Sequence, residues 1–166
     1  AYWISDSVPI WNEATMNAWT LEVSGAVQSP RTFTFDDLRG MRLTTQRVPH
    51  YCVEGWSATA DFTGVPMRAI LAAVRPNADA KFVDFMSFDD GYHESWDIES
   101  TLHPQTMVVL AKDGKRLSPA WGAPARVHGP VKLGYKNTKY LTKIVVMPTT
   151  SGGYWSDRGY EWYGGT

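Results

Sequence analysis

The stretch KFVDFMSF, residues 81–88, alternates along its length yet carries apolar side chains on both faces, with Phe82 opposite Val83 and Phe85 opposite Met86. Such a run is stable only where both faces are covered, so it predicts a strand buried on both sides. TLEVSGAV (20–27) reads as a second strand, with Leu21 and Val23 on one face and a Ser29-Pro30 turn as its stop. RLTTQRV leads as a strand toward Cys52. TMVVLAKDGKRL (106–117) reads as a strand, an Asp113-Gly114 turn and the start of the returning chain, and ARVHGP and TKIVVM add two short strands. Helices are few. Thr34 is the expected N-cap of a short one through Leu38, with Asp36 and Asp37 in its first turn. Pro66 is the expected first residue of another, through Ile70, Leu71 and Val74. These helices do not alternate regularly with the strands, which excludes a doubly wound parallel sheet and predicts a strand-rich α+β fold.

No repeat, low-complexity tract or linker divides the 166 residues, and a chain of that length buries a core without staples, so residues 1–166 are expected to form a single domain. A formal net charge of -1 argues against nucleic acid or an anionic membrane as the main partner. No apolar run reaches the roughly 18 residues of a membrane span. The opening AYWISD, with neither Met nor a charged-then-apolar leader, fits a processed or trimmed start, or Met removal ahead of Ala. In SGGYWSDRGYEWYGGT, five of sixteen residues are Trp or Tyr. Its glycines rule out a regular helix, and 152–166 is expected to be an extended aromatic tail docked on the body of the domain, the alternative being a partner-binding edge.

Two segments bear on chemistry. RVPHYCVEGW (47–56) holds the single cysteine, Cys52, which excludes an intramolecular disulfide. A lone thiol is either a small buried hydrophobe or a soft ligand for a metal or electrophile. GAPARVHGPVKLGYKNTKYL (122–141) sets Arg126, Lys132, Lys136 and Lys139 among Gly122, Gly129 and Gly134. That composition suits an anion held by backbone amides and cations, or else a solvated basic surface. It has neither P-loop nor dinucleotide-binding spacing. His50, His93, His103 and His128 show no zinc-ligand pairing, and one cysteine cannot build a structural zinc site. A Cys-His hydrolase, with Cys52 as nucleophile and His50 or His93 as base, has only formal support, and the G-x-S-x-G elbow of a serine hydrolase is absent.

Five ordered blocks covering nearly the whole chain resemble the molybdopterin-binding domain of the sulfite oxidase superfamily. They are WTLEVSGAVQSPRTFTFDDL, HYCVEGWSATADFTGVPMRAIL, FVDFMSFDDGYHESWDIE, HPQTMVVLAKDGKRLSPAWGAPARV and GYKNTKYLTKI. The branch they are most similar to is the catalytic subunit of the periplasmic methionine sulfoxide reductase and its single-domain relatives. The resemblance implies a mixed-sheet, barrel-like fold and one molybdenum-molybdopterin per chain, with Cys52 as the metal's thiolate ligand. It implies that Arg126, Asn137, Thr138 and Lys139 hold the pterin phosphate and that Ser87 contacts the pterin. Trp121 departs from the pattern, standing where the family usually has Asn or His; its indole N–H remains a donor.

The same resemblance aligns Tyr92 with a tyrosine beside the metal, where it either donates a hydrogen bond to the metal oxo group or is a well-packed strand-end aromatic; Trp56 is expected to line the substrate groove. Sulfite-oxidising members carry an arginine after the cysteine loop, where this chain has Glu54 and Trp56. An S-oxide or N-oxide reductase is therefore expected, with methionine sulfoxide as the inherited substrate. A sulfite dehydrogenase and a metal-free binding module of the same fold are the alternatives. Electrons are expected from a separate partner, a membrane b-type cytochrome in the relatives, and the periplasm is the expected location.

Overall fold

The computed structural model describes residues 18–51, 57–88, 92–132 and 136–149, with backbone alone at 48–51 and 57–58. The chain runs β1 (Thr20–Gly25), β2 (Arg31–Thr34), α1 (Phe35–Arg39), β3 (Thr44–Tyr51), β4 (Ser57–Pro66), α2 (Met67–Val74), β5 (Phe82–Ser87), β6 (His93–Asp97), α3 (Ile98–Thr101), β7 (Met107–Lys112), β8 (Lys115–Arg116), a 3-10 turn (Pro119–Trp121), β9 (Arg126–His128) and β10 (Leu141–Met147). Two sheets result. The first has the order β2-β1-β10-β5-β6; the second has the order β3-β4-β7-β8, with β9 also on β7. Among the described residues only β1 and β10 pair in parallel, so the first sheet is mixed. Among the described residues both sheets are open, and the barrel-like outline expected from the family is not a closed barrel.

The main core lies between the sheets. Leu21, Val23, Phe33, Val83, Phe85, Ile144 and Val146 of the first sheet meet Val65, Val108, Leu110 and Val127 of the second. Ile70, Leu71 and Val74 of α2 join them, because spacings of one, three and four place all three on one face of the helix. Pro66 ends β4 and caps α2, so the helix starts at Met67, one residue later than expected. The Thr34 hydroxyl accepts from Asp37 N while Asp37 accepts from Thr34 N, a capping box that starts α1 as the sequence predicts. A smaller cluster of Ala60, Phe62, Met107, Val109, Leu117 and Ala123 covers the opposite face of the second sheet.

Strand β5 is flanked by β10 and β6, and its Val83 and Phe85 are fully buried. The other face carries half-buried Phe82 and Met86 around a buried Asp84, so coverage there is less complete than the apolar pattern suggests. Asp84 accepts from His93 Nδ1 at 2.9 Å.

Strand β4 shifts register against β7 between Thr63 and Gly64. A Cβ on Gly64 would run into the Val108 carbonyl. Gly64→Ala is expected to cost about 1–3 kcal/mol through forced separation of the two strands, read as a lowered denaturation midpoint with an unchanged m-value.

Candidate functional site

Strand β9 offers two faces. Val127 enters the main core, while Arg126 and His128 point the other way and are almost completely buried. The Arg126 guanidinium donates to three carbonyls, those of Val127 at 3.3 Å, Trp121 at 3.4 Å and Asn137 at 3.3 Å. Val127 is the next residue of β9, so these bonds tie two other stretches of the chain, at Trp121 and Asn137, to one cation. Val127 N donates to the Thr138 carbonyl at 2.9 Å, which lays the 136–140 turn alongside β9. Asn137 completes the anchoring, its Oδ1 accepting from Gly129 N at 2.7 Å and its Nδ2 donating to the Lys132 carbonyl at 3.3 Å.

The turn continues straight into β10. Leu141 is in register with Ser87, the last residue of β5, and Leu141 N donates to the Ala125 carbonyl at 3.0 Å. Ser87 N in turn donates to the Tyr92 carbonyl at 3.0 Å, closing the mouth of the β5–β6 connection. The fold thus gathers Ser87, Tyr92, Arg126, Asn137 and Thr138, which are scattered over more than fifty residues of sequence.

Lys139 and Trp121 sit at the edge of this group. Lys139 Nζ donates to the Ala120 carbonyl at 3.1 Å, and its stem passes Gly122. Gly122 has φ +96°, and a Cβ there would lie 2.7 Å from Lys139 Cβ. Glycine meets both demands, the left-handed backbone and the close approach. The Trp121 ring packs edge-on against Phe62 at 6.1 Å with Lys112 Nζ 4.4 Å from its centroid. Its carbonyl accepts from Arg126 Nη1.

The solvated-surface reading of the basic stretch is overturned. Arg126, Lys132 and Lys136 are each 2% exposed or less. Lys132 Nζ donates to Asp97 Oδ1 at 2.9 Å, and Lys136 Nζ to Glu94 Oε2 at 3.2 Å. Buried charges need partners, and strand β6 supplies both acids. HESWD held the signal for this: Glu94 shares a strand face with Trp96, and an acid beside a buried Trp requires a cation. His128 is a further buried group that motif reading left unassigned, its ring 4.7 Å from Phe62.

Burial pushes the Asp97 carboxyl up, but hydrogen bonds from Lys132 and from Ser100 outweigh it and hold its pKa below the ordinary 3.8. Among the described residues, the Thr138 hydroxyl is completely enclosed and has no hydrogen-bond partner. A buried guanidinium on β9, with a fixed carboxamide and an unsatisfied hydroxyl on the adjoining turn, forms a donor set suited to an anionic, acceptor-rich group. Cys52, Trp56 and the 152–166 tail lie outside the described residues. No group of three or more His, Cys, Asp or Glu side chains suited to a metal occurs among the described residues. No helix among them is long and apolar enough to cross a membrane.

Comparison with known proteins adds an independent line. Residues 7–155 match the family described as "Oxidoreductase molybdopterin binding domain". A protein of Azospira oryzae named "Putative protein-methionine-sulfoxide reductase subunit YedZ1" is 42% identical over 166 residues, all of this chain and 62% of that protein. The protein-methionine-sulfoxide reductase catalytic subunit MsrP of Xanthomonas axonopodis pv. citri is 30% identical, over 90% of this chain and 51% of its own. MsrP of Ralstonia nicotianae is 29% identical over 87% and 49%. The chain thus spans about half to three-fifths of the length of these relatives. Among solved structures, the sulfane dehydrogenase SoxCD of Paracoccus pantotrophus superposes with a TM-score of 0.81 at 19% identity, covering 89% of this chain and 41% of that one. At that identity the likeness concerns the fold, and it agrees with strand-rich mixed sheets carrying few helices.

Because the Asp97 pKa is lowered in the folded state, its contribution is present above the ordinary carboxylate value and is lost as pH falls through the folded one. The melting temperature is expected to decline below about pH 4, and Asp97→Asn is expected to lower it at neutral pH while flattening the acid limb. An acid limb unchanged by the substitution would assign that titration to other carboxylates.

Proposed function

The chain belongs to the oxidoreductase molybdopterin-binding domain family, and from that premise we propose that it carries the catalytic centre of a reductase acting on S-oxides or N-oxides, methionine sulfoxide in protein being the substrate class. The observation that supports the cofactor-holding part of this reading best is the enclosed, partnerless Thr138 hydroxyl, on a turn held by buried Arg126 and ordered Asn137. Arg126, Asn137, Thr138 and Lys139 would bind the cofactor's phosphate, Ser87 its pterin, and Cys52 would give its thiolate to the metal. Trp121 orients this cradle through its carbonyl. The cofactor, when bound, supplies a molybdenum centre able to exchange an oxygen atom and two electrons.

The net reaction takes the oxygen from sulfur and needs two electrons and two protons, releasing a thioether and water. Tyr92, placed by the hydrogen bond from Ser87 N to its carbonyl, would present a phenol to the substrate oxygen, and Trp56 would form the apolar rim that admits a thioether. The electrons come from a separate partner. The relatives named as subunits support that, and a membrane b-type cytochrome on the periplasmic side is the partner and location we propose. One cofactor per chain and a single domain over 1–166 complete the proposal.

Metal analysis tests it, on protein made in a host competent for molybdopterin synthesis. About one molybdenum per chain is expected, with the thiolate signature lost in Cys52→Ala and cofactor retention weakened about tenfold or more in Thr138→Val. A folded wild-type chain without molybdenum would leave a metal-free binding module. Dye-driven reduction of methionine sulfoxide separates the reductase from a sulfite dehydrogenase, which would instead reduce ferricyanide with sulfite.

A further inference from the structure

Strand β6 shares three hydrogen bonds with Lys136, the residue that precedes Asn137, Thr138 and Lys139. Lys136 Nζ donates to Glu94 Oε2 at 3.2 Å and to the Ser95 carbonyl at 3.0 Å, while Trp96 Nε1 donates to the Lys136 carbonyl at 2.7 Å. Both charged side chains of the pair are completely buried. Removing an ammonium and a carboxylate from water is so costly that two apolar side chains of similar volume would serve a core at least as well. What an ion pair adds is placement: an ammonium with defined acceptors has few ways to sit, whereas an apolar side chain has several.

The surroundings extend the same hold. The Trp96 ring lies against Gly129, where a Cβ would come within 2.7 Å of it, and Gly129 N is the donor to Asn137 Oδ1. Lys132, bonded to Asp97 at the end of β6, offers its carbonyl to Asn137 Nδ2. Glu94, Trp96 and Asp97 therefore all act on Asn137 or on its neighbour. On the far side the turn is fixed to β9 by Arg126 and Val127. Strand β6 belongs to the first sheet and β9 to the second, so the turn is clamped between sheets.

We propose that Glu94 and Lys136 are positioning residues that set the height of the Asn137–Lys139 turn between the two sheets and thereby govern how long the molybdopterin is retained. This rests on the reading of that turn as the cofactor's phosphate anchor. The test compares the loaded wild type with Glu94→Gln and with the double variant Glu94→Leu/Lys136→Met, following molybdopterin loss during dilution and the melting temperature of each chain. Glu94→Gln is expected to lower both stability and retention. The double variant is expected to melt near the wild-type temperature and yet to lose cofactor about tenfold faster or more.

Wild-type retention in a double variant of wild-type stability would overturn the proposal, because the pair would then be structural only. Should the double variant fail to fold, Lys136→Arg decides. It preserves the charge and alters the reach, so accelerated loss is expected and wild-type retention overturns the assignment. A wild-type chain that takes up no molybdopterin would remove the premise itself, and it is recognised by cofactor content before any variant is compared.

Discussion

Strand β10 lies in the middle of the first sheet, parallel to β1 and antiparallel to β5, with Glu22 beside Lys143 on one side and Phe85 beside Ile144 on the other. Pairing strands so far apart in sequence costs loop-closure entropy, and the burial of Ile144 and Val146 offsets it. The first residue of β10 is also a junction. Leu141 N reaches the Ala125 carbonyl, and the Leu141 carbonyl accepts the Trp19 indole N–H at 3.0 Å. The 136–140 turn thus hangs from a strand that cannot shift without opening the sheet. The placement of the candidate site is a by-product of how the sheet closes.

Around that turn the interior is unusually charged. Arg126, Lys132, Lys136, Glu94 and Asp84 are all buried, and the two lysines meet acids from one strand. In a low-dielectric setting such pairs are strong only when geometry is right, so they hold their neighbours in one arrangement more firmly than apolar contacts would. The carbonyls of Trp121 and Asn137 that Arg126 ties to β9 belong to two other stretches of chain, which makes its role as much architectural as electrostatic.

Local signals in the sequence predict the local elements. Thr34 with Asp37 starts α1, Asp113-Gly114 turns β7 into β8, and Ile70, Leu71 and Val74 mark one face of α2. Strand partners were not legible, because β1 with β10 or β3 with β4 is decided by packing between segments that carry no mutual label. The site was legible only as residue identities in order. Arg126 meets the Asn137 carbonyl, Val127 the Thr138 carbonyl, and Ser87 lies beside Leu141 at the end of the same turn. That Lys132 and Lys136 are interior struts was not readable from GPVKLGYKNTK alone, since a lysine among glycines looks the same whether its partner is water or an acid on another strand.

The central position of β10 also sets an order of events during synthesis. The hairpin of β1 and β2 and the hairpin of β5 and β6 can each form as they leave the ribosome, but among the described residues no strand of their sheet lies between them until β10 emerges. Until then the edges of β1 and β5 stand open, and the turn ahead of β10 has no fixed place. Any group that the turn accepts can be held there only after β10 has joined the sheet, and until then the half-made sheet depends on protection from edge-to-edge pairing.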